Sequence, residues 1–133
     1  MKTLALAFAL LVTPTLALAD EVWTSPQMGT IVYEADQGSV AILSMPGSHP
    51  GSNVYLYVEG MGGDYGNTGT YSGYWIEKAP GDCATERTGA DGRMSDNWGL
   101  LEITLQASGD GRAFTGRLGA CDGAFTDEFH AAP

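Results

Sequence analysis

Along the chain after the first nineteen residues, apolar positions recur every second residue, and clusters of Gly, Asn, Asp or Pro break the runs at short intervals. That period is the β-strand period, and it predicts an all-β fold. In the clearest run Leu101, Ile103 and Leu105 alternate with Glu102, Thr104 and Gln106, one side for a core and one for water. Val54, Leu56 and Val58 alternate instead with Tyr55, Tyr57 and Glu59, so this strand has an aliphatic face and an aromatic one. Its second face need not be exposed. Further strands are predicted over Thr30 to Glu34, Val40 to Met45, Thr70 to Glu77, Arg112 to Leu118 and a short Ala124 to Phe129. This gives seven, with Glu21 to Thr24 as a candidate eighth.

The intervals between the strands carry turn chemistry. Glycine reaches positive φ without a Cβ clash, and proline fixes its own φ. Asp36-Gln37-Gly38 and Ser108-Gly109-Asp110-Gly111 read as hairpin turns, and the Pro- and Gly-bearing stretch from Met45 to Asn53 as an irregular bend. Lys78 to Asn97 is the longest stretch without alternation, and Gly60 to Gly69 is by composition the most flexible loop. Seven or eight short antiparallel strands must hide a shared apolar face in a small closed barrel or in a sandwich. Glycines within Thr70 to Trp75 and Phe114 to Gly119 suit the sharp coiling of barrel corners, so a single small antiparallel barrel is expected, with a β-sandwich as the alternative. The run Gly69-Thr70-Tyr71-Ser72-Gly73 resembles the Gly-x-Tyr turns of small ligand-binding barrels such as avidin. The resemblance covers five residues, and no residue role is carried over from it.

Residues 1–19 change the reading of the rest. One charge at Lys2, an apolar stretch from Leu4 to Val12, and small residues at Ala17 and Ala19 have the form of a secretory signal peptide cleaved before Asp20. The apolar stretch is far shorter than the roughly 20 residues of a membrane span, so no span is expected after its removal. Residues 20–133 are then a single β domain in the periplasm or outside the cell. Cys83 and Cys121, the only thiols, read as one structural disulfide that tethers the segment Lys78 to Asn97 to the strand ending near Cys121. Six Lys and Arg stand against sixteen Asp and Glu, a net charge of −10. Such a surface repels phosphate backbones and anionic membranes, so nucleic acid is not an expected partner.

Candidate chemistry is sparse, and no catalytic residue or cofactor is assigned. Gly-x-Ser-x-Gly is absent, and Ser48 and His49, as neighbours in an extended segment, should point apart. His130 lies close to the C-terminus, where fraying is common. His49 and His130 form no local zinc chelate, and Asp82, Glu86, Asp91, Asp96 and Asn97 crowd one loop without the spacing of an EF-hand. Glu34 and Asp36, two apart, would share a strand face as a hydrolytic carboxylate pair needs. The stronger lead is aromatic. Tyr71 and Trp75 share strand parity, as do Tyr55 and Tyr57, and together they could line a pocket, with Asp64 or Asn67 supplying polarity. The expectation is therefore an exported, non-catalytic β domain that binds a small molecule or a protein. A secreted hydrolase, an inhibitor and a structural subunit of the cell envelope are the alternatives. Rings meeting around a cavity would favour a small ligand, and a filled interior would favour a protein partner.

Overall fold

A computed structural model describes residues 21–63, 68–106 and 112–133, and the proposed leader, Asp64, Asn67 and the Ser108–Gly111 turn lie outside them. Among the described residues ten strands follow one another: β1 (Val22–Ser25), β2 (Gly29–Gln37), β3 (Val40–Pro46), β4 (Asn53–Glu59), β5 (Gly69–Glu77), β6 (Arg87–Thr88), β7 (Met94–Ser95), β8 (Trp98–Leu105), β9 (Phe114–Gly119) and β10 (Phe125–Ala131). Eight of them form one antiparallel sheet in the order β1-β2-β3-β4-β5-β8-β9-β10, and β6 and β7 pair with each other alone. The large sheet curls until its edges meet. Thr24 and Ala132 exchange two backbone hydrogen bonds of 2.8 and 3.0 Å, which makes a nearly closed up-and-down barrel. Among the described residues there is no helix.

The barrel core is built from inward residues of the eight-stranded sheet, among them Trp23, Ile31, Leu43, Leu56, Leu101, Ile103, Phe114 and Phe129, all buried. Trp23 and Phe129 each meet Phe114 in an edge-to-face arrangement, at 5.3 and 6.0 Å between ring centroids. Register follows from this packing, because a one-residue slip would turn each of these side chains outward. In β2 such a shift does occur. A bulge between Tyr33 and Ala35 sets Ala35 opposite Ile42 and Asp36 opposite Ala41. Asp36 is thereby turned to the face of buried Ala41, while Glu34 bonds outward-facing Ser44. The two carboxylates thus lie on opposite faces rather than one, because simple alternation does not survive a bulge.

A second apolar cluster lies outside the barrel. Ile42, Tyr57, Tyr74, Ile76 and Trp98 are buried on the outer face of β3, β4, β5 and β8, beneath the segment 78–97. This segment acts as a cap, with the β6–β7 hairpin at its centre. Tyr57 and Tyr74 stack at 5.0 Å, and the Arg87 guanidinium lies over Tyr74 at 4.1 Å and Trp98 at 5.1 Å. Trp98 Nε1 donates to the Thr85 carbonyl at 2.8 Å. Gly89 passes so close to the Tyr57 ring that a Cβ there would sit 2.4 Å from it. The disulfide Cys83–Cys121 ties the cap to the residues just after β9. His130, expected to fray, is inside β10, and its backbone N–H donates to Gln27 Oε1 at 3.1 Å.

The disulfide closes a loop of 38 positions, worth about 4 kcal/mol in the chain-entropy account. A Cys83→Ser/Cys121→Ser double variant should therefore unfold at a clearly lower urea concentration than the oxidised protein. An unchanged midpoint would show that the cap holds by packing alone.

Candidate functional site

At one end of the barrel the β1–β2 turn, the β3–β4 connection and the ends of β5 and β9 surround an open cup of about 440 Å³. Met28, Met45, Val54, Trp75 and Leu118 make its apolar wall, and Gln27, Ser48, Glu77 and Asp127 supply polar groups. Trp75 is inward-facing, opposite Leu56 on β4 and Gly99 on β8. Its indole is fixed by donation from Nε1 to the Gly119 carbonyl at 2.8 Å. Gly99 permits this, since a Cβ there would lie 2.4 Å from that nitrogen and 1.8 Å from the same carbonyl oxygen.

One wall of the cup depends on Glu77, the last residue of β5, which is only 3% exposed. Its Oε1 accepts from Ser48 N–H at 2.8 Å, Ser48 Oγ at 2.8 Å and Ser52 Oγ at 2.9 Å. Asn97 Nδ2 donates to Oε2 at 3.4 Å, and His49 Nδ1 is 3.7 Å from Oε1. Burial alone would raise the Glu77 pKa. The donors from Ser48, Ser52 and His49 outweigh burial and hold it below its ordinary value. A buried carboxylate so supplied is a clamp that fastens the 46–53 connection to β5.

Ser48 and His49, expected to point apart, are brought together by the turn, with Ser48 Oγ 3.0 Å from His49 Nδ1. The neighbours lie in a turn rather than in extended chain, so strand parity does not govern them. Ser48 and Glu77 both approach the same ring nitrogen, Nδ1. A relay through the imidazole needs one partner on each nitrogen, so this trio has the composition of a hydrolytic triad without its geometry.

The four rings singled out in the sequence are not brought together. Trp75 borders the cup, whereas Tyr71 packs against the core four residues back along β5, about 13 Å away by the strand rise. Tyr55 and Tyr57 face the opposite side of the sheet, under the cap. Tyr57 is fully buried, and its hydroxyl donates to Asp91 Oδ1 at 2.8 Å. Burial, with Arg93 opposing it, pushes that hydroxyl up to about 12, so it remains a donor. Met28, Met45 and Leu118 were not anticipated as site residues, because side chains that meet only when separate strands and turns converge at a barrel mouth leave no local pattern.

Among the described residues no group of three or more His, Cys, Asp or Glu converges as metal ligands do. Two acids of the cap, Asp91 and Asp96, hold the cap itself. Asp91 bonds Arg93, and Asp96 Oδ1 accepts from Gly81 N–H at 2.9 Å. No described helix is long and apolar enough to cross a membrane. Neither family models, nor curated proteins, nor solved structures yield a match to this chain.

Glu77→Gln keeps the shape of the clamp and removes its charge. Since hydrogen bonds to a charged group are worth about 1.5–3 kcal/mol, the variant should be less stable near neutral pH by a comparable amount. A carboxylate with a depressed folded pKa contributes fully above its unfolded value, here 4.5, and loses that contribution as pH falls through the folded value. Urea midpoints of the two proteins should therefore differ most above pH 4.5 and converge in acid. A gap independent of pH would sink this account of Glu77.

Proposed function

We propose that this chain is an exported, non-catalytic binding domain that engages a protein partner by seating one of its apolar side chains in the mouth cup. The observation that carries the reading is a filled barrel whose mouth keeps an open, half-apolar cup. The inward side chains pack against one another as a core, so the reading places the contact at the turns of the rim. Rims of this kind receive anchor residues from protein partners, and methionines such as Met28 and Met45 let the wall adapt to the anchor. The Cys83–Cys121 disulfide is compatible with an oxidising compartment, and together with the leader-like first nineteen residues it supports a periplasmic or extracellular location.

A small molecule in the same cup is the second reading, because about 440 Å³ lies within the ordinary range of ligand pockets. The two differ in what binds. On the protein-partner reading, N-acetyl-leucinamide shifts the backbone amide signals of Met28, Gly47 and Trp75 with weak, roughly millimolar affinity, and N-acetyl-glycinamide does not. Met28→Asp, which sets a charge on the rim, should weaken this about tenfold. Micromolar binding of the neutral dye N-phenyl-1-naphthylamine, with no response to the amino-acid amides, would favour the small molecule. Silence to both retires the cup as a site.

A further inference from the structure

A second cleft, of about 410 Å³, lies on the outer side of the β3–β4 connection, away from the cup. It is lined by Pro50, Ser52, Asn53 and Tyr55 together with Lys78 and Arg93. Two cations in one cleft are unusual for a chain with six Lys and Arg against sixteen Asp and Glu. The remaining described arginines are engaged elsewhere. Arg112 pairs with Glu21, Arg117 with Glu102, and Arg87 lies over Tyr74 and Trp98.

Arg93 is held in place and still available. Its guanidinium lies 3.6 Å above the centroid of Tyr55, which fixes the plane, and its side chain remains 40% exposed. It pairs with Asp91, but that carboxylate also accepts from Tyr57 OH and from the Arg93 backbone N–H. Those two donors share Oδ1 and leave Oδ2 to the guanidinium, so Asp91 fixes Arg93 on one edge while the arginine side chain stays partly exposed to the cleft. Lys78 is exposed, with no carboxylate within ion-pair distance among the described residues. Asn53, also exposed, lines the same cleft.

We propose that this outer cleft is a binding site for a small organic anion. The acidic group sits between Lys78 and Arg93, and the flat body of the ligand rests on Pro50 and the edge of Tyr55. A cation anchored before the ligand arrives, as Arg93 is over Tyr55, loses little freedom on binding, so an exposed site can still discriminate. An anion without a flat body would gain only the exposed-ion-pair contribution, which is small and screened by salt.

The test is an NMR titration of the whole protein with sodium benzoate at constant low ionic strength, with sodium acetate as the control. Benzoate should give saturating shifts at the amides of Gly51, Ser52, Asn53 and Arg93, with a dissociation constant of about a few millimolar. Acetate should bind about fivefold or more weakly. Lys78→Gln should weaken benzoate by about tenfold and Lys78→Arg should largely restore it, with thermal unfolding unchanged in both because the side chain is exposed. Shifts spread equally over Arg87, Arg112 and Arg117, or an affinity indifferent to Lys78→Gln, would overturn the site.

Discussion

The structure turns on a sheet that is apolar on both faces where β4, β5 and β8 run side by side. Inward residues such as Leu56, Trp75 and Leu101 complete the barrel core, and Tyr57, Tyr74, Ile76 and Trp98 on the outward side would otherwise leave a large greasy patch in water. The cap formed by residues 78–97 exists to cover that patch. It has almost no repeating backbone pairing of its own, only the two-residue strands β6 and β7. Its order therefore comes from what it covers: two arginines over aromatic rings, the hydroxyl of Tyr57 on Asp91, the indole of Trp98 on Thr85, and one disulfide. A short polar segment gains too little by itself to offset its ordering entropy, and these contacts supply the difference.

The sequence was legible where period and pairing are local. Alternation in Leu101–Leu105 located a strand and its inward face, and the aromatic parity of Tyr55 and Tyr57 marked a second face that need not be exposed, without saying what covers it. The barrel, its eighth strand and the bridge between Cys83 and Cys121 match the expectation. What failed did so for identifiable reasons. The bulge in β2 separates Glu34 from Asp36, and a bulge adds a residue without changing the letters that alternation is read from. Ser48 and His49 meet because a turn brings them together. The mouth cup was invisible because Met28, Met45, Trp75 and Leu118 come from four different strands or turns, and their convergence is a property of closure.

The same closure explains why the four candidate rings part company. Strand parity says which residues share a face, but not where along the barrel axis or against which neighbouring layer they end. Tyr71 and Trp75 share the inner face and belong to different ends of it. Tyr55 and Tyr57 share the outer face, yet one is half-exposed under Arg93 and the other is sealed beneath Gly89 and Asp91. Of these four rings, Trp75 at the mouth and Tyr55 at the cap edge reach the two clefts, while Tyr57 and Tyr71 serve to join layers.

Both clefts share a wall. Pro46, Gly47 and Ser48 face the cup, and Pro50, Gly51, Ser52 and Asn53 face the outer cleft, so the β3–β4 connection divides them. Such a connection is ordinarily a mobile element, with few buried apolar contacts to hold it. Here it is fastened from below by one carboxylate, since Glu77 binds Ser48 on the cup side and Ser52 on the outer side. Lys78, which lines the outer cleft, is the very next residue. A ligand on either side would therefore press on a segment whose position Glu77 already sets. Loosening that clamp should blur both clefts together, while changes to Met28 or Arg93 act on one alone. Any coupling through this wall is reciprocal by linkage: the factor by which a ligand in one cleft changes affinity in the other is the factor by which the second changes the first.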